Sequence, residues 1–388
     1  MGSLRVIFSN IQYFSITWLF ASVNLMVGTW VLYIPYIKEK LTLNDAQIGI
    51  GLFCLSLGVL LFIPVVPWLS KHIGLGKISF FAVVMFSVAY ILPFVVTSFV
   101  MLCATLFLVG IFLGITDVTM NALVSVTEKK DLSHFMSAAH GFFSLGGAIG
   151  AIIGSLVMPL FSNPMYHIAC MALLIVLTNV LLQPFYFKVK EDSHPEEKSH
   201  FSLKHLKPLF VVAFLTFVIM GSEGSIEHWS TLYLVEIIKV TKDSQIGLGF
   251  ILFSSCMTLG RFFGDSVSEK LGSLKIIVWG ILIAVFAFMA ILTGQFYVSL
   301  FGFAFLGLGL SVIIPELFRI SGNTKGVSSS QGISFVSGMG FLGFLLGPVG
   351  LGFISKQFSL WASFLFLMCL LTVALLIAFI KLKNTTRS

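Results

Sequence analysis

Residues 45–49 read DAQIG, and residues 243–247 read DSQIG, 198 positions further along the chain. Other short patterns recur at nearly the same spacing. Trp30 with the following Leu-Tyr pair returns as Trp229 with its own Leu-Tyr pair, and KHIGLGK at 71–77 is matched by EKLGSLK at 269–275. A constant offset of about 200 residues indicates that the second half of the chain repeats the first half in the same order.

The composition places these repeats in a membrane. The 388 residues are 57% hydrophobic and only 10% charged, with 41 Phe and a mean hydropathy of +1.04, whereas soluble domains carry about 25% charged residues. A helix needs about 20 apolar residues to cross the hydrocarbon core. Lipid offers no hydrogen-bond partners to the backbone polar groups, so an isolated apolar segment must pair them within its own helix. The sequence therefore predicts an all-α membrane protein. Its twelve transmembrane helices form two parallel-repeat six-helix bundles and cover roughly residues 12–36, 46–70, 77–97, 99–125, 134–160, 164–187, 208–236, 244–268, 274–294, 296–320, 328–355 and 359–381.

The basic residues predict the orientation. If the N-terminus is cytoplasmic, the outer side receives five of the 23 Lys and Arg residues, namely Lys38, Lys40, Lys239, Lys242 and Lys356. The other 18 fall at the inner side, as the positive-inside rule requires. We therefore expect both termini in the cytoplasm of a bacterial inner (plasma) membrane. The positive net charge is then a topology signal, and no nucleic-acid partner is expected.

One polar stretch divides the series of apolar runs. We predict an N-terminal six-helix bundle over residues 1–187, a cytoplasmic linker over 188–207 and a C-terminal six-helix bundle over 208–388. Parallel repeats of six spans are the arrangement of a large transporter class in which the solute binds near the middle of the membrane between the halves.

Several motifs resemble one family over the whole length of the chain. They are GITDVTMNALVSVTE at 114–128, MSAAHGFFSLGGAIGA at 136–151, EGSIEHWSTLYL at 223–234, GRFFGD at 260–265, PELFR at 315–319 and GFLGFLLGP at 340–348. With them the chain resembles the major facilitator superfamily, its YbjJ-like group in particular, and more distantly the proton-coupled fucose and glucose/galactose permeases. The family's loop signature after helix 2 is degraded, because Lys71 stands at its acidic position. After helix 8 it is better kept, at Asp265, Glu269, Lys270 and Gly272.

The first half holds a candidate proton site. An ionisable side chain at the membrane centre costs about 2.5–3.5 kcal/mol on insertion scales, so Asp117 in helix 4 needs a polar cavity or a partner. Asn121 lies one turn away, and His140 in helix 5 is predicted at a similar depth. Residues of these types could bind a polar solute and exchange a proton. The resemblance implies a proton-coupling acid at Asp117 and a solute-binding residue near His140. The alternative is a structural Asp–His pair that ties helices 4 and 5 together.

The second half holds a rival site in helix 7. Glu223 and Glu227 share one helix face, and two like charges there favour protonation of one carboxylate. By the repeat, Glu223 matches Asn24 and Trp229 matches Trp30. We predict that Glu223 and Glu227 couple protons, and that the solute contacts a set including Asn24, Trp30, Glu223, His228 and Trp229. The alternative places Glu227, His228 and Trp229 at the outer membrane interface, where Trp is common.

Charged residues near the inner ends form a third set. Glu316 matches Asn121 by the repeat, which favours a cavity-side, solute-binding position. Arg261 could form a gating salt bridge with Glu316 or Asp265, with Arg319 in the same gate. Extension of both arginines towards the water interface is the alternative. No nucleotide loop, zinc motif or catalytic triad appears, so neither a cofactor nor a metal site is expected.

These observations predict a secondary active transporter that works as a monomer. Proton-coupled symport of a small polar solute, with sugars among the candidates, is the leading mechanism, and membrane lipids and protons are the other partners. A proton-driven exporter of drugs or metabolites would show the same pattern, because fold does not fix substrate. A non-transporting membrane sensor and an intramembrane enzyme are the alternatives from other classes. The enzyme lacks a nucleophile beside Asp117 and His140.

Overall fold

A computed structural model describes residues 7–131, 135–189, 209–322, 324 and 329–385. Most of the predicted linker, residues 190–207, lies outside the described residues, and so does the junction at 325–328 before the eleventh span. Every regular element in the described part of the chain is a helix.

The helices fall into two compact units. The first unit covers residues 1–194 with 241–247, and the second covers 195–240 with 248–388. The helices of the first unit are α1 (Ile11–Val31), α2 (Ile34–Lys40), α3 (Asp45–Phe62), α4 (Val66–Ile73), α5 (Leu75–Ala89), α6 (Phe99–Asp131), α7 (Met136–Val157), α8 (Pro164–Leu182) and α10 (Asp243–Ile246). Those of the second unit are α9 (Phe210–Glu236), α11 (Leu248–Leu271), α12 (Ser273–Leu292), α13 (Phe296–Leu310), α14 (Ile313–Gly322), α15 (Ser329–Gln357) and α16 (Leu360–Thr385).

The predicted number of membrane spans is confirmed. In the described residues, twelve segments are long and apolar enough to cross a membrane, and each overlaps one predicted span. The ends differ where proline interrupts the backbone hydrogen bonds. The first span ends at Val31 because the chain starts a new helix with Pro35 in its first turn. The second span ends in a single turn of 3₁₀ helix around Pro64 rather than running on to residue 70.

Both units pair their helices in the same way. In each, the first span packs most extensively against the fifth (α1 with α7, α9 with α15) and the second against the fourth (α3 with α6, α11 with α13). The third span packs against the fourth and the sixth in both units (α5 with α6 and α8, α12 with α13 and α16). The sequence repeat therefore corresponds to a repeat of helix packing.

Glycine sets the distance between α3 and α6. A Cβ atom added to Gly110 would lie against the Leu55 carbonyl oxygen, and one added to Gly58 would meet the Phe107 carbonyl oxygen. The backbones of the two helices thus touch at these positions, as small residues permit in membrane helices. This contact fixes the helix that carries Asp117.

We expect Gly110→Ala to destabilise the protein by about 1–3 kcal/mol, because the methyl group forces α3 and α6 apart. The matched control is Gly350→Ala in α15, where an added Cβ meets no atom within 4 Å. That change should be neutral or stabilising by up to about 1 kcal/mol, since alanine favours helix. Unfolding in detergent measures both variants, and equal stabilities would contradict the close approach at Gly110.

A carboxylate fixes the start of α7. Oε1 of Glu128, near the end of α6, accepts hydrogen bonds from the backbone N–H groups of Phe135 (2.5 Å) and Met136 (2.8 Å). These N–H groups belong to the unsatisfied donors of a helix N-terminus, where a negative charge is also favoured. The end of α6 and the start of α7 are therefore joined, and His140 follows one turn into α7.

Candidate functional site

Asp117 and Asn121 form a hydrogen-bonded pair on α6. The Asn121 amide nitrogen donates to the Asp117 backbone carbonyl at 2.9 Å and lies 3.5 Å from its carboxylate Oδ1. Both side chains are half-buried. The buried neighbours Thr116 and Thr119 donate their hydroxyls to carbonyl groups of their own helix. Among the described residues, Asn121 supplies the one hydrogen bond to the Asp117 carboxylate, and no cation lies within ion-pair distance of it.

His140 lies on α7 and is exposed. Its ring meets Phe20 of α1 edge-on, with the ring centres 5.3 Å apart. One contact of this imidazole in the structure is therefore aromatic. A direct contact between His140 and Asp117 stays a prediction.

Asn24 and Trp30 are packed inside the first unit. Asn24, only 4% exposed, donates its amide N–H to the Phe143 carbonyl of α7 at 3.0 Å. The indole of Trp30 is 2% exposed, and its ring lies 5.6 Å from Tyr90 and 5.8 Å from Phe94 between centres. In this structure both residues hold α1 in place, and neither side chain presents a free surface.

An ion pair joins two helices of the second unit. Arg261 Nη2 of α11 lies 2.9 Å from Glu223 Oε1 of α9, and both side chains are about one-fifth exposed. Glu227, one turn further along α9, is also half-buried. The sequence suggests Glu316 or Asp265 as the partner of Arg261 and gives no indication of Glu223. The predicted spans contain both Arg261 and Glu223. No pattern in the sequence, however, predicts a contact between two residues that lie 38 positions apart on different helices.

His228 and Trp229 point into the packed interior of the second unit. Trp229 is fully buried, and its indole N–H donates to the Pro348 carbonyl of α15 at 3.1 Å. His228 is 7% exposed. The two residues that follow Glu227 thus turn away from the half-buried face that carries Glu223 and Glu227.

Glu316 and Arg319 form a pair within α14. Arg319 Nη1 lies 3.0 Å and 3.3 Å from the two carboxylate oxygens of Glu316. Glu316 is 2% exposed, while the Arg319 side chain is 47% exposed. The carboxylate is thus inside the unit and the guanidinium extends outwards. The Asp265 side chain, the remaining predicted gating residue, lies outside the described residues.

Besides the Glu316–Arg319 pair, the structure groups predicted residues into two polar clusters, each within its own unit. The first cluster, Asp117 and Asn121, carries a carboxylate with an amide partner. The second cluster, Glu223, Glu227 and Arg261, carries two carboxylates and one guanidinium. In the described part of the chain, no group of three or more His, Cys, Asp or Glu residues could hold a metal ion.

The comparisons with known proteins agree with this architecture. A transporter of Yersinia pestis described as an uncharacterized MFS-type transporter, YPO1221/y2967, is 30% identical over 353 residues, which cover 90% of this chain and 91% of the relative. A putative glucose/galactose transporter of Helicobacter pylori (strain 26695) is 24% identical over 254 residues, 59% of this chain and 60% of the relative. The crystal structure of the nucleoside transporter NupG has the same fold. Its TM-score is 0.71 at 12% identity, covering 95% of this chain and 98% of NupG.

The sequence model of the Major Facilitator Superfamily matches residues 14–315 and 241–388, which together take in nearly the whole chain. The relatives are transporters, and the fold is that of transporters of this superfamily. The predicted resemblance is thereby confirmed: the chain is a multi-pass membrane transporter that belongs to the Major Facilitator Superfamily.

Proposed function

We propose that this transporter is a proton-coupled symporter of a small, sugar-like polar solute, and that Asp117 carries the proton. The observation that carries the proposal is the half-buried Asp117 carboxylate within a membrane span, with the amide of Asn121 as its hydrogen-bond partner. A neutral amide can donate to an ionised carboxylate and can remain beside a protonated one. Asp117 can therefore change its charge without breaking an ion pair.

The Glu223 carboxylate is less suited to this task. It already forms an ion pair with Arg261, at 2.9 Å. Protonation of Glu223 would break this ion pair inside a span and remove one negative charge from beside the guanidinium, which is costly. We assign Glu223 and Arg261 a gating role, in which the ion pair stabilises one conformation of the transport cycle. Glu316 with Arg319 is a second candidate of the same kind.

The solute is proposed to bind beside Asp117. Asn121 is half-buried and His140 exposed, although both lie within membrane spans. Polar side chains that are not buried at such positions are expensive in lipid, and a water-filled cavity on the α6 and α7 side removes that cost. An amide and an imidazole offer both donors and acceptors, which suits the hydroxyl groups of a sugar. The putative glucose/galactose transporter among the relatives supports the same solute class. Trp30 and Trp229 are assigned to packing in this proposal.

The coupling can be measured in proteoliposomes that contain a pH dye. We expect addition of the right sugar-like solute to move protons into the vesicles together with the solute. Solute uptake without proton movement would refute the coupling. Proton movement opposite to the solute would identify the alternative, an exporter. No movement of any tested solute class would favour the sensor.

The domain arrangement and orientation are part of the proposal. We expect six spans over residues 1–187, a cytoplasmic linker over 188–207 and six spans over 208–388, with both termini inside a bacterial plasma membrane. The support is the excess of Lys and Arg on one side of the twelve spans.

Reporter tags at residue 2, at residue 198 and after residue 388 should all report a cytoplasmic position. A tag between Lys40 and Asp45 serves as the control and should report the outer side. A linker tag that reports the outer side would overturn the orientation.

A further inference from the structure

An apolar furrow runs along the surface of the second unit between α12 and α13, and α11 also lines one end of it. Two cavities form it, with volumes of about 370 Å³ and 400 Å³, and both are lined by Ile283. The cavities therefore meet at this residue. On α12 the lining runs from Ile276 to Ala290, which at about 1.5 Å per residue is some 21 Å of helix, or two-thirds of the roughly 30 Å hydrocarbon core.

Glycines bring the two backbones together and leave the floor of the furrow without large side chains. A Cβ atom added to Gly280 would lie 2.6 Å from the Gly309 carbonyl oxygen, and one added to Gly302 would lie 2.7 Å from the Ala287 carbonyl oxygen. Large side chains stand at the edges and are exposed, among them Trp279, Phe286, Phe301 and Phe305. The result is a channel with an apolar floor and aromatic walls.

A positive charge marks one end of this channel. Lys275 is exposed and precedes Trp279 by four residues, so the two side chains lie on the same face of α12, one turn apart. Ile276, the next residue, already lines the furrow. The ammonium group is thus placed where the furrow begins, at the first turn of a membrane-spanning helix.

We propose that the furrow binds one anionic phospholipid, with an acyl chain in the apolar channel and the phosphate group at Lys275. The channel and the charge match the two parts of this ligand: van der Waals contact with the walls holds the chain, and cations at the membrane surface attract anionic headgroups. The charge also argues against a second copy of the chain. A two-fold axis along the membrane normal would bring the furrows together with their Lys275 side chains at the same height, and like charges would face each other.

Native mass spectrometry of the full chain in mild detergent tests the proposal. The probes are phosphatidylglycerol and phosphatidylcholine with identical acyl chains. We expect one phosphatidylglycerol to be retained in preference to phosphatidylcholine. Lys275→Gln should reduce that preference about fivefold, the effect of removing one cation from the headgroup site. Ile283→Trp fills the junction of the two cavities and should reduce retention of both lipids.

Two control variants separate the site from general effects. Met289→Trp adds the same bulk at another exposed position of α12 that does not line either cavity, and it should retain the lipid. Lys77→Gln removes the equivalent charge in the first repeat, and it should lower binding less than Lys275→Gln. Because Lys275 is exposed, its variant remains informative even if Ile283→Trp does not fold.

Three results would overturn the proposal. Equal retention of the two lipids by the wild type would indicate ordinary surrounding lipid. Unchanged phosphatidylglycerol retention in Lys275→Gln would remove the headgroup contact. A dimer that persists without lipid and disappears in Ile283→Trp would show that the furrow is an interface between copies of this chain.

Discussion

Asp117→Asn is expected to abolish proton-driven accumulation of the solute while exchange of labelled for unlabelled solute continues. The substitution keeps the size of the side chain and its hydrogen bonding with Asn121, and it removes the ability to gain and lose a proton. During exchange, the transporter returns to its starting conformation with a solute molecule still bound. This step needs no net proton movement, so it does not depend on a titrating group. The measurement compares a gradient-driven uptake assay with a counterflow assay in the same vesicles.

Asp131→Asn is the matched control, because it makes the same chemical change on the same helix, α6, outside the membrane span. Asp131 accepts a hydrogen bond from Tyr13 at 3.0 Å, and its amide variant should still accumulate solute. Wild-type accumulation in Asp117→Asn, together with its loss in Glu223→Gln, would move the proton site from α6 to α9.

Arg261→Gln is expected to lower the stability of the second unit. It leaves the Glu223 carboxylate without its guanidinium partner in a membrane span. Removing one partner of a fully buried pair costs about 3–5 kcal/mol. Because both side chains are about one-fifth exposed, we expect a smaller loss of about 1–3 kcal/mol, measured as the free energy of unfolding in detergent.

The double variant Arg261→Gln with Glu223→Gln supplies the control. Two neutral amides can hydrogen-bond to each other, so the double variant should be more stable than Arg261→Gln alone. Arg261→Lys should fall between the wild type and Arg261→Gln, since it keeps the charge but loses the planar guanidinium geometry. If the double variant is no more stable than Arg261→Gln, the ion pair is not what holds α9 and α11 together.

The span pattern was predictable because it depends on properties of single segments. Hydropathy and length are set by each run of residues alone, and the offset between Trp30 and Trp229 shows the duplication without any structure. Proline effects are also visible in principle, because Pro35 and Pro64 mark where the first and second spans end early. The predicted spans nevertheless extend too far, since the apolar runs continue past both prolines.

Contacts between helices were not predictable in the same way. The repeat makes Trp30 and Trp229 equivalent, and both are buried. Yet equivalence does not tell which way a side chain points, and the Trp229 indole N–H is taken up by the Pro348 carbonyl. The partner of Arg261 depends on the rotation of α9 and α11 about their own axes. A helix rotation of a few tens of degrees is smaller than the angle between consecutive residues. It is still enough to decide whether Arg261 meets Glu223 or another acid.

The hydrogen bonds from Phe135 and Met136 to Glu128 have a consequence for the timing of transport. They clamp the end of α6 to the start of α7, so the two helices that carry Asp117 and His140 share a common base. A rotation of one helix is transmitted to the other at this base. In the proposed symport mechanism, Asp117 and His140 then respond to a single movement, and proton release and solute release fall in the same step of the cycle.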